Sequence, residues 1–223
     1  MKTTLKGFGL AALLMAGQSV YAAGGFGVTA KVGTLGYGIE GTTGLADNVN
    51  LRFGYNGLSG DLFRDYDYTM NGTTATFSAK ASLETVSLLA DWHAFGGAFR
   101  FSGGLMYDNN KFEGSAPLGY YNIGSGASTY YVGLDTTVEG SRNVAPYFGV
   151  GWGNGVSKDR HWILSADLGV LFQGTPKVTL TPTGSGAALV SPTDIAIEES
   201  NLEDELKSYR FYPVASIGAT YHF

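Results

Sequence analysis

The hydrophobic pattern of this chain has a period of two over most of its length. Val86, Leu88, Ala90 and Trp92 alternate with Thr85, Ser87, Leu89 and Asp91. Phe99, Phe101, Leu105 and Tyr107 alternate with Arg100, Ser102, Gly104 and Met106. Further on, Pro146, Phe148, Val150 and Trp152 share one parity, as do Trp162, Leu164, Ala166, Leu168, Val170 and Phe172, with Ser165, Asp167 and Gln173 on the other. Earlier, Leu51, Phe53 and Tyr55 alternate with Asn50, Arg52, Gly54 and Asn56, and Leu35, Tyr37 and Ile39 alternate with Gly36, Gly38, Glu40 and Thr42. A strand sends successive side chains to opposite faces, so each run predicts a strand with one apolar face and one polar or small face. The turns between them are of two kinds. Ala46-Asp47-Asn48, the segment 93–97 and Gly155 to Arg160 are short; residues 61–80, 109–143 and 174–207 are long excursions. Asn71-Gly72 predicts a tight hairpin turn in the first excursion, because both residues tolerate positive φ. The second is polar, with room for a hairpin of its own. In the third, Thr193 or Asp194 is positioned to cap a short surface helix from Ile195 to Leu206, with a narrow stripe of Ile195, Leu202 and Leu206.

The last strand adds a second signal. Tyr209, Phe211, Pro213, Ala215, Ile217, Ala219, Tyr221 and Phe223 form a face that is aromatic at both ends and aliphatic or small between. Two lipid–water interfaces select that distribution. A closing strand with Tyr221 and Phe223 resembles the terminal strand of bacterial outer-membrane β-barrels, where it is the signal read by the barrel-insertion machinery. The run Asp91-Trp92-His93-Ala94-Phe95-Gly96-Gly97-Ala98-Phe99-Arg100 resembles a segment of small barrels of that class, with Ala94 where proline is usual. The resemblance implies an all-β, antiparallel transmembrane β-barrel of eight strands, like the OmpA transmembrane domain without a periplasmic domain. Seven strands are clear. The eighth is either residues 25–34, paired back on 35–45, or residues 128–139; the first is preferred because it puts every long excursion outside the cell.

Composition agrees with an exported strand protein. Lys2 and Lys6 precede a short apolar run from Phe8 to Ala16, and Val20-Tyr21-Ala22 has the small residues of a cleavage site. Residues 1–22 therefore read as a secretory signal peptide, too short in its apolar part to span a membrane as a helix, and residues 23–223 as the barrel. Removing Lys2 and Lys6 from 14 basic residues leaves 12 against 19 acidic, a net −7 that argues against a nucleic-acid partner. With no cysteine, neither disulfides nor thiolate metal sites are available. There are 34 glycines and 13% aromatics, which suits strands, and no apolar run beyond the leader reaches the length of a membrane helix.

The candidate chemistry lies on the inward parity. Glu40, Arg52, Asp91, Arg100, Asp167 and Arg210 are three acids and three arginines on six strands. Charges in a low-dielectric interior must pair, and an eight-stranded barrel is just wide enough for side chains to fill it. The expectation is a salt-bridged, closed lumen, with no cofactor and no metal. His93, His161 and His222 fall near short turns or the chain end, without ligand spacing. No Ser–His pair shares an outward face, so the expectation is not an enzyme. The acidic run Glu198, Glu199, Glu203, Asp204 and Glu205 reads as a solvated helix face. Expected partners are outer-membrane lipid, the barrel-assembly machinery and an unidentified extracellular ligand. The function expected is structural or surface-interaction work through the outer loops; the alternatives are a narrow pore for a small solute or ion and, behind it, a lipid-modifying enzyme.

Overall fold

The computed structural model describes residues 25–70, 73–124, 128–156 and 161–223, with the side chains of 61–77 left out of the description. The leader expected at 1–22 and the turn expected at Asn71-Gly72 lie outside the described residues. Strands β1 (Phe26–Gly33), β2 (Gly36–Ala46), β3 (Val49–Met70), β4 (Thr73–Trp92) and β5 (Phe99–Asp108) follow one another as antiparallel hairpins. Then come β6 (Lys111–Asn122), β7 (Thr129–Glu139), β8 (Val144–Trp152), β9 (Trp162–Leu171), β10 (Lys177–Thr183), helix α1 (Pro192–Glu205) and β11 (Tyr212–His222). Eight of these close a ring in the order β1-β2-β3-β4-β5-β8-β9-β11, with β11 returning to β1.

The eighth barrel strand is therefore β1. It turns tightly into β2, with Gly33 opposite Gly36 and Gly36 at φ +90°, a conformation open to glycine. Residues 129–139 are also a strand, but outside the ring. The turns after β2, β4 and β8 lie at one end of the barrel; the tight β1–β2 turn and the excursions beyond β3–β4, β5–β8 and β9–β11 lie at the other.

Those excursions build a second sheet. β3 and β4 run past the ring, with register irregularities between Asp61 and Tyr66. β4 pairs with β5 over Thr85–Trp92 inside the ring and with β6 over Ser78–Ser82 beyond it. β7 and β10 continue the outer sheet. Ile123, Val132 and Val190 form a small core there, packed by Tyr121, Tyr130, Leu134 and Ile195.

Burial follows the two-residue period, inverted relative to a water-soluble protein. Leu88, Trp92, Phe101, Leu105, Phe148, Trp152, Trp162, Leu164, Leu168 and Ile217 are exposed on the outside of the ring, while Arg52, Asp91 and Arg100 are buried within it. One aromatic girdle at the short-turn end joins Trp92, Phe99, Phe101 and Trp152 by ring contacts, and Trp162, Tyr221 and Phe223 continue it. A second, Phe148–Phe172–Phe211, marks the other end. From Trp162 to Phe172 a tilted strand rises about 25 Å, the height of the lipid-facing band of such barrels.

Two expectations need correction here. Ser191, not Thr193 or Asp194, caps α1: its side chain accepts from the Thr193 N–H at 3.2 Å, and Pro192 occupies the first helical position, where proline's missing N–H costs nothing. Leu35 does not share the outward face of Tyr37 and Ile39. It sits in the β1–β2 turn, which directs it into the lumen, 4% exposed.

Candidate functional site

The lumen is filled in three layers. At the short-turn end the layer is polar. Thr29 on β1 and Thr220 on β11 share a hydrogen bond of 2.7 Å. The Asn50 amide donates to Asn154 Oδ1 at 3.0 Å and meets His93 Nε2 at 3.0 Å, while His93 Nδ1 faces the Gly97 carbonyl at 2.8 Å. The β8–β9 turn enters the barrel mouth there. A side chain at Gly27 would strike the Gly155 carbonyl, and one at Gly155 would meet Thr42 at 3.2 Å. His93 and His222 are buried, whereas His161 lies outside, stacked on Tyr221. Among the described residues no group of three metal-ligating side chains comes together.

The middle layer is ionic. Arg52 projects from β3 and touches three carboxylates: Nε lies 2.6 Å from Asp91 Oδ2, and Nη1 lies 3.1 Å from Glu40 Oε1 and 3.4 Å from Asp167 Oδ1. Its Nη2 donates to Ser102 Oγ at 3.0 Å, and that hydroxyl donates to Asp91 Oδ1 at 2.6 Å. Arg100 projects from β5. It donates to Asp167 Oδ1 at 2.7 Å and to the Gly153 carbonyl, and its Nε lies 3.6 Å from Asp91. Each carboxylate thus sees at least one guanidinium, and the planar forks bridge acids on different strands.

Strand register explains the crowding. Arg100 is opposite Gly151, which is opposite Asp167. A Cβ on Gly151 would lie 2.6 Å from Asp167 Oδ1 and 2.9 Å from Arg100 Cζ. The missing side chain is what lets the ion pair reach across β8.

Five of the six expected lumen charges meet in this layer: Glu40, Arg52, Asp91, Arg100 and Asp167. Arg210 does not. The last strand starts at Tyr212, and Arg210 lies in a 3-10 turn, exposed, with its guanidinium 4.7 Å above the Phe211 ring. Alternation therefore says nothing about its facing. The third cation is Lys31 on β1, whose ammonium is 2.8 Å from Glu40 Oε2. Lys31 shares the inward parity of Thr29 on β1, a signal present in the sequence. With Lys31 the layer holds three cations and three acids.

The outer layer is largely apolar, with Asn56, Thr85, Ser87 and Asp108 buried along its β3–β5 side. Leu35, Leu89, Met106, Ala145, Tyr147, Leu171 and Val214 form one buried cluster with Tyr212 against it. Among the described residues Tyr147 is the largest fully buried side chain, and its hydroxyl occupies the space left by Gly149 and Gly169. Between this plug and the ionic layer remains a cavity of about 20 Å³, room for a single water.

Outside the ring, the acidic run of α1 is a solvated face only at Asp204 and Glu205; its other acids are engaged. Glu199 Oε1 accepts from the Leu180 N–H at 2.8 Å and Glu203 Oε1 from the Val178 N–H at 3.1 Å. Glu198 accepts from the Gly124 N–H at 3.2 Å, and Asp194 accepts from the Tyr130 hydroxyl at 2.8 Å. Four residues of helix rise about 6 Å and two of strand about 6.8 Å, so carboxylates at i and i+4 match alternate N–H groups of a strand edge. Only Asp204, among these acids, is seen in an exposed pair, with Lys207 at 2.7 Å.

No protein-family model matches the sequence, and no curated protein matches it. Solved structures do. CarO2 of Acinetobacter baumannii superposes with a TM-score of 0.59 at 19% identity, over 89% of this chain and 98% of that one. CarO of the same organism gives 0.59 at 21% identity, over 88% and 97%. A major outer membrane protein from Thermus thermophilus gives 0.42 at 17% identity, over 90% and 100%. The fold is that of an eight-stranded outer-membrane β-barrel. With its apolar belt and two aromatic girdles, it places the chain in the bacterial outer membrane.

Proposed function

We propose that this protein is a closed barrel that works through the sheet and loops it holds outside the cell. The filled lumen carries the reading: an ionic layer tied across six strands, an apolar plug above it, and a cavity of about 20 Å³ between them. A conducting pore needs an open, water-filled path; here Leu89, Met106 and Tyr147 fill the lumen, and the polar side chains beside them, Asn56, Thr85 and Ser87, are packed and buried. The ring is then a rigid support, and the outer sheet is the surface available for recognition, as loops on a fixed scaffold commonly are. Tyr221 and Phe223 lie exposed at the end of β11, next to β1, where the assembly machinery would read the closing strand before the ring seals.

Planar-bilayer recording on the refolded mature protein tests this reading. Folding is checked first by a heat-sensitive shift on gels. The expected result is silence from folded protein. Discrete openings whose conductance changes in Arg100→Ala would make the protein a pore.

A further inference from the structure

We propose that the outer rim carries a binding site for a small, neutral and largely apolar molecule taken from outside the cell. A cavity of about 460 Å³ opens where the ring passes into the outer sheet, within the range of small-molecule sites. Phe112 on β6 and Val138 on β7, cross-strand neighbours, form one wall. Leu206 and Phe211, on the segment entering β11, form the opposite wall.

The walls are held apart by fixed contacts, so the site exists before a ligand arrives. Gln173 Nε2 donates to the Tyr209 carbonyl at 2.9 Å, and Phe211 stands edge-on to Phe172 at 5.2 Å, under Arg210. The glutamate contacts of α1 anchor the start of that segment to β10. Phe211 is 42% exposed and Tyr209 64%. Phe211 belongs to the outer aromatic girdle, and from it the apolar surface continues onto Phe112 and Val138 of the outer sheet, an apolar patch that can receive an apolar molecule.

Charge selects the class. Among the described residues no Lys or Arg lines the cavity, and the one ionised side chain there, Glu139, is paired with Lys111 at 3.2 Å. An anionic head would find no cation in the lining itself; Arg210, over the Phe211 ring, lies outside it. Asn110 lies in the wall with Oδ1 used by the Glu84 N–H and the Thr85 hydroxyl, while its buried Nδ2 donor has no partner. That donor is sealed beneath the surface, so the cavity asks for an apolar body and not for a particular acceptor. Phe112 and Val138 belong to the outer sheet rather than the ring, which favours a free solute over a chain of membrane lipid.

The test uses the full mature protein in lipid nanodiscs, titrated with decanol and separately with decanoate, and read by amide NMR shifts at Val138, Gly140, Leu206 and Phe211. Saturable shifts with decanol are expected, at least tenfold weaker with decanoate. Val138→Trp, which fills the cavity, should abolish them; Phe211→Ala, which opens one wall, should weaken them at least tenfold if the larger side chain is not tolerated. Shifts that never saturate, that persist unchanged in both variants, or that are as strong with decanoate overturn the proposal. Contacts from nanodisc lipid chains to Phe211 before decanol is added would also overturn it, in favour of a bound lipid. Binding here does not depend on whether the lumen conducts, so this test and the bilayer recording fail independently.

Discussion

At the residue scale the molecule turns on Arg52. One guanidinium reaches Glu40, Asp91 and Asp167 from a buried position. Burying these ions costs several kcal/mol each, and the mutual contacts offset it; removing one partner leaves the others uncompensated. Arg52→Met should therefore destabilise the folded barrel by about 3–5 kcal/mol, seen as a lower urea midpoint of tryptophan fluorescence in lipid vesicles. Unchanged midpoints in both Arg52→Met and Arg100→Met would show that the pairs contribute nothing net. Gly151→Val should be as damaging without removing a charge, because its side chain would occupy the space between Arg100 and Asp167.

At the element scale the outer edge of β10 explains why α1 is acidic. An open strand edge invites pairing with other chains, and natural proteins cover or charge such edges. Here two glutamates one helical turn apart accept the N–H groups of Val178 and Leu180. Replacing both, Glu199→Ala with Glu203→Ala, should speed amide exchange at Val178 and Leu180 while leaving exchange in the ring unchanged. Ser191→Ala removes the cap contact to Thr193 and should cost the helix about 1 kcal/mol, read as faster exchange over its first turn. The acids were legible in the sequence as helix residues. Their partners were not, since β10 is a short run, Lys177–Thr183, inside an excursion that otherwise reads as loop.

At the scale of the whole molecule the inside-out distribution of side chains decides the environment. Leu168 is exposed midway along β9, between Val150 of β8 and Ala215 of β11. Leu168→Arg should destabilise the barrel by about 2–4 kcal/mol in a bilayer, whereas Arg at Leu189, exposed in the outer region, should be tolerated. Equal urea midpoints for the two variants in vesicles would mean that Leu168 does not face lipid. The same distribution accounts for the filled lumen: with eight strands the interior has room for side chains and little else.

Period-two alternation was enough to set the outward faces of β2 to β5, β8, β9 and β11 and five of the six lumen charges, while the barrel class came with the resemblance carried by Tyr221, Phe223 and the run from Asp91 to Arg100. A strand's geometry maps parity onto face without help from distant residues. Where the backbone leaves the strand, parity carries no such information. Leu35 in a turn faces the lumen, and Arg210 in a 3-10 turn faces out. Closure decided the rest. Only the ring shows that β1 is the eighth strand, and that Lys31 supplies the third cation beside Glu40. Only tertiary packing sets Leu89, Met106, Tyr147 and Val214 into one plug and seats the glutamates of α1 on β10. Those contacts join residues far apart in sequence, and no local pattern encodes which of them meet.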